Sequence, residues 1–111
     1  MGRSGFHLNI VTRRDDSRVE CYIDFGKNSD ETNLAVFKML EQQKGTIEST
    51  FGAPLDWQEL QDSRACRICK EVQGGWGTSE DKWPELHERL IGAAIRLEKA
   101  LKAPIQDVQL P

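Results

Sequence analysis

Cysteine is scarce: Cys21, Cys66 and Cys69 are the only three in 111 residues. So few, and an odd number, exclude the disulfide framework of a small secreted scaffold and fit a reducing compartment. Long apolar runs are missing too, since no stretch approaches the roughly 20 residues that cross a bilayer. Met1-Gly2-Arg3-Ser4-Gly5 lacks the apolar core of a secretory signal. A cytoplasmic setting without membrane contact is therefore expected. Charge of one sign is also absent. Fifteen Lys and Arg against eighteen Asp and Glu leave a net charge of −3, too little positive field to hold nucleic acid unaided, so any DNA contact has to be local. Residues 1–27 carry five basic and four acidic groups, residues 28–62 two and seven, and residues 63–111 eight and seven, which excludes a charged tail.

What is present suits one small domain with one modest core. Residues 6–102 are read as a single α+β domain, residues 1–5 as an N-terminal extension or cloning remnant, and residues 103–111 as a C-terminal tail. Phe6, Leu8 and Ile10 alternate with His7 and Asn9, and Val19, Cys21, Ile23 and Phe25 alternate with Glu20, Tyr22 and Asp24, the period of half-buried strands. Arg14-Asp15-Asp16-Ser17 between them predicts a hairpin turn. After candidate caps at Asn28, Ser29 and Asp30, the apolar positions Phe37, Leu40, Ile47 and Phe51 predict one long amphipathic helix that stops at Gly52 and Pro54. Gly45 inside it costs up to about 1 kcal/mol relative to Ala.

A second hairpin is predicted from Leu55–Leu60 and Arg64–Val72, with its turn at Gln61-Asp62-Ser63. Trp83-Pro84 opens a second helix, because Pro is tolerated in a first turn. The stripe Trp83, Leu86, Leu90, Ala94, Leu97 and Leu101 holds the helical period, and this helix is expected to end before Pro104. The fold class is thus α+β in ββαββα order. A four-stranded, mainly antiparallel sheet carries two long helices on one face and leaves the other uncovered.

The candidate site residues lie on that uncovered face and at its end. Glu20, Tyr22 and Asp24 share one side of a strand, and Arg67 joins them if the second hairpin pairs there. Such a cluster is either an acid-base site or a solvated sheet face with cross-strand charge pairs. Arg13, Arg14 and Arg18 flank the first turn and could reach phosphate, although Asp15 and Asp16 stand among them. Trp76 sits in Gly74-Gly75-Trp76-Gly77-Thr78-Ser79, where it either folds back on the core or is offered to a ligand. The loop lacks the Gly-Lys-Ser/Thr ending of a nucleotide-binding loop. Cys66 and Cys69 are three apart in a strand and point to opposite faces, so no metal site is expected. No cofactor and no catalytic residue is assigned.

Arg18 to Asp24, then Phe37 to Trp57 with Phe51-Gly52-Ala53-Pro54-Leu55, then Arg64 to Ile68, Lys82-Trp83-Pro84-Glu85 and Ile95 to Lys99 together resemble an uncharacterised bacterial and archaeal domain of unknown function. The similarity runs from about Phe6 to Lys102. Relatives often stand C-terminal to endonuclease-like modules of the restriction-nuclease superfold. The resemblance implies a non-catalytic accessory module whose partner is a nuclease-type protein or the DNA it engages, in defence or repair. The nuclease module is not in this sequence, so a stand-alone member or an excised piece is expected. Two alternatives remain: a small enzyme built on the acid-base cluster, and a structural homodimer through the open face or an edge strand.

Overall fold

The alternating segments form two antiparallel hairpins. The computed structural model describes residues 1–60 and 63–111. β1 (Phe6–Thr12) pairs with β2 (Asp16–Ile23), and β3 (Asp56–Glu59) pairs with β4 (Cys66–Gln73). The hairpins join through β2 and β4, so the sheet runs β1-β2-β4-β3 with every pair antiparallel. Gln61 and Asp62 of the second turn lie outside the described residues.

Register follows from which side chains must be hidden, since a slip of one residue would turn every apolar group outward. Cys21 stands opposite Leu8 on one side and Ile68 on the other, and Ile23 opposite Phe6 and Cys66. Phe6, Cys21, Ile23, Cys66 and Ile68 form one core cluster with Val36, Phe37, Leu40, Ile47, Phe51, Leu90, Leu97 and Leu101, and the partly buried Leu8 packs against it. All the helices therefore cover a single face of the sheet.

The order departs from ββαββα, because the first long helix is two: α1 (Asp30–Glu41) and α2 (Lys44–Phe51). Its apolar stripe explains the break. After Leu40 the next apolar residue is Ile47, so the turn between them has nothing to bury and is not held to the core. There the Gln43 N–H bonds the Leu40 carbonyl three residues back at 2.9 Å, a tighter winding that redirects the axis. Gly52 closes α2 with φ of 99°, as its missing Cβ allows.

A 3₁₀ turn (Glu80–Lys82) leads into α3 (Trp83–Gln106), with Pro84 in its first turn. α3 does not end before Pro104 but runs through it. The proline removes a donor from the last turn, and other contacts hold that turn in place. Ile105 and Val108 are buried, and Arg3 donates from Nη1 to the Ile105 carbonyl at 2.7 Å and the Val108 carbonyl at 2.9 Å. No helix among the described residues is long and apolar enough to cross a membrane.

Candidate functional site

Strand alternation puts Asn9 of β1, Arg18, Glu20 and Tyr22 of β2, Arg67 and Cys69 of β4, and Gln58 of β3 on the face without helices. Glu20 is at its centre and only 3% exposed, roofed by the longer side chains around it. Its Oε1 accepts from Arg18 Nε at 2.7 Å and lies 3.5 Å from Arg67 Nη1, while Oε2 accepts from Asn9 Nδ2 at 3.0 Å. Arg67 in turn donates from Nε and Nη2 to Gln58 Oε1 at 2.9 and 2.6 Å. One polar chain thus crosses all four strands.

Burial alone would push the Glu20 carboxyl up. The hydrogen bonds from Asn9 and Arg18 and the charges of Arg18 and Arg67 outweigh it, so the group lies below the usual glutamate value. A carboxylate held ionised and saturated with donors is a structural counter-ion, poorly placed to deliver a proton near neutrality. Among the described residues no buried side-chain nitrogen or oxygen lacks a hydrogen-bond partner.

Of the residues grouped by sequence, Glu20, Tyr22 and Arg67 do come together, with Tyr22 and Arg67 directly opposite. Asp24 does not join them. The strand ends at Ile23, and the Asp24 carboxylate instead receives Arg64 in two bonds of 2.9 and 3.1 Å. Beside it the fully buried Asn33 accepts from the Phe25 N–H at 2.8 Å and donates to the Arg64 carbonyl at 3.1 Å. Asp24 therefore belongs to a latch that fastens the end of β2 to the start of α1. Arg18, expected at the turn, faces Glu20 on the sheet. Asn9 and Gln58 were missed: the alternation of β1 already turns Asn9 outward, whereas Gln58 joins only through the β3–β4 register.

The cysteines stay apart. Cys66 faces the core and Cys69 the opposite side, both buried, as is Cys21. Burial pushes the Cys21 thiol up to about 12 and the Cys66 thiol up to about 11, and it raises Cys69 as well. None is an activated thiolate. Among the described residues no group of three His, Cys, Asp or Glu side chains could hold a metal ion.

Arg13, Arg14 and Trp76 meet at one end of the sheet. The glycine loop lies across the β1–β2 turn as a short extra ladder, with the Trp76 N–H on the Arg13 carbonyl and the Gly77 N–H on the Arg14 carbonyl, both at 2.8 Å. The approach is so close that a Cβ on Gly75 would sit 1.9 Å from the Arg13 oxygen, so glycine is required there. Thr78 closes the loop by accepting the Gly75 N–H at 3.1 Å on its hydroxyl and Trp83 Nε1 at 2.7 Å on its carbonyl. Trp76, 61% exposed, is thereby held outward on a fixed backbone.

Beside Trp76 is an apolar notch of about 170 Å³ lined by Thr12, Gly75, Trp83, Leu86 and His87. On the other side of the loop, Asp15, Thr78, Lys82, Glu85 and Arg89 border a polar basin of about 420 Å³. The arginines here are not free of acids. Arg13 bonds Asp16 and lies 3.6 Å from Glu71, and Arg14 lies 4.0 Å from Asp15 with both side chains largely exposed.

Residues 1–105 match the family described as Domain of unknown function (DUF4268), and the chain belongs to that family. No curated protein and no solved structure matches it.

Proposed function

We propose that this member of the DUF4268 family is a non-catalytic recognition module that works beside a DNA-directed nuclease. The contact point in this reading is the Trp76 corner. The nuclease setting comes from the resemblance of the sequence to domains that stand next to endonuclease-like modules. One observation carries the contact: a tryptophan 61% exposed, held outward by backbone bonds to the two arginines of a neighbouring turn. Trp and Arg dominate the energetics of protein interfaces, and a fixed backbone lowers the ordering cost of binding.

The partner is read as a nuclease-type protein rather than bare DNA. Arg13 and Arg14 are each paired with a carboxylate, and the net charge is −3, so the corner carries little of the uncompensated positive charge that phosphate requires. The Glu20 network supports a binding role over an enzymatic one, since its carboxylate is held ionised by Asn9 and Arg18.

The test is titration calorimetry against the endonuclease-like protein encoded beside or fused to a family member, with Trp76→Ala as the variant. A loss of at least about thirtyfold in affinity is expected, the scale of an interface hot spot. Equal binding by the variant overturns the assignment. A salt-sensitive gel shift of duplex DNA that Arg13→Ala with Arg14→Ala abolishes would transfer the role to DNA.

A further inference from the structure

The outward side of α3 carries an apolar pair that neither the core nor the Trp76 corner uses. Ile91 and Ile95, four residues apart and so stacked on one side of the helix, are 54% and 61% exposed. Between them Gly92 presents bare backbone, and a Cβ there would meet nothing within 4 Å. α3 spans 24 residues, about 36 Å, and the isoleucines lie close to its middle.

We propose that α3 is a homodimerisation helix, two copies packing antiparallel with Ile91 of one against Ile95 of the other and Glu88 of one against Lys99 of the other. The charge pattern along the helix identifies a second copy as the occupant. Glu85 and Glu88 precede the isoleucines, and Lys99 and Lys102 follow them, all four exposed. Among the described residues none of the four takes part in an ion pair within the chain.

A two-fold axis midway between Ile91 and Ile95 carries Glu88 of each helix to the level of Lys99 of the other, with Arg89 and Arg96 on the side turned away from the seam. At about 100° per residue, Glu88 and Lys99 lie on the same flank of the isoleucine seam, where antiparallel packing brings them together twice per dimer. Glu98 and His87 lie on the opposite flank and meet in the same way. In a parallel pair the two Glu88 side chains would lie on opposite flanks of the seam and far along the axis from either Lys99, so only the antiparallel pair brings Glu88 and Lys99 together.

One helix pair buries less than the roughly 1,200 Å² of a standard interface, so the dimer is weak, with a dissociation constant in the range of about 10 to 500 μM. Sedimentation equilibrium on the whole chain, from about 5 μM to about 1 mM, tests it. The mass is expected to rise from 12.6 kDa toward twice that value. Ile95→Glu should hold the monomer mass throughout with an unchanged circular dichroism spectrum. Glu88→Lys alone and Lys99→Glu alone should each weaken the dimer about tenfold or more, and the double exchange should restore it. A monomer mass across the whole range overturns the proposal, and so does a dimer that is indifferent to Ile95→Glu or is not restored by the double exchange.

Discussion

Glu20 shows how a single buried charge can fasten a sheet on the side that has no helices. Its removal leaves two guanidinium groups, 17% and 19% exposed, without their counter-ion. Glu20→Ala should therefore lower the unfolding free energy by about 2–3 kcal/mol, read from urea denaturation at neutral pH. The pH dependence has a definite sign. Folding lowers the Glu20 carboxyl, with the Asn9 and Arg18 bonds outweighing burial. Arg64 lowers Asp24, and the Leu55 N–H lowers Glu48. A carboxylate depressed in the folded state contributes stability above its unfolded value and loses it as the pH falls. The urea midpoint should thus drop as the pH goes below about 4.3, and Glu20→Gln should flatten that slope. That Glu20 and Tyr22 share a strand face was legible from strand period alone, whereas the place of Arg67 beside them rested on the pairing of β2 with β4. The place of Asp24 was not legible, because it depends on where β2 stops, where Asp24 is taken up by Asn33 nine residues on and Arg64 forty residues on.

Among the elements, two glycines that look alike in the sequence have opposite roles. Gly45 is in the first turn of α2 with open space where a Cβ would go, so Gly45→Ala should raise stability by up to about 1 kcal/mol. Gly75 meets the Arg13 carbonyl, so Gly75→Ala should cost about 1–3 kcal/mol and release the loop. Tryptophan fluorescence of Gly75→Ala in native buffer checks the second outcome, since a detached Trp76 emits from a changed environment, and urea midpoints compare both variants. Helix α3 as far as Pro104 and the first hairpin were readable because each holds its period, whereas β4, with Cys66, Ile68 and Cys69 all buried, breaks the alternation and left the facing of the second hairpin open. The division of α1 from α2 was obscured by polar residues that are good helix formers individually. The continuation of α3 past Pro104 was hidden because the contacts that secure it come from Arg3, about a hundred residues earlier.

At the scale of the whole molecule, the strand order could not be read from periodicity, which says which side of a strand is buried but not which strand lies beside it. The shared core of Cys21, Ile68 and the helices settles it by placing β2 and β4 at the centre. The tie between the two ends of the chain is likewise a property of the completed fold. Arg3→Ala removes the donors to Ile105 and Val108 and should lower the thermal midpoint by several degrees, about 1–2 kcal/mol, in a scanning calorimeter. That tie gives the molecule a direction. Arg3 grips the finish of α3, whereas Trp76 sits beside Trp83 and His87 at its start, roughly 33 Å away along the helix axis. Anything spliced onto either terminus would therefore hang from the blunt pole, leaving the indole at the far tip to probe outward without steric interference from its own tether.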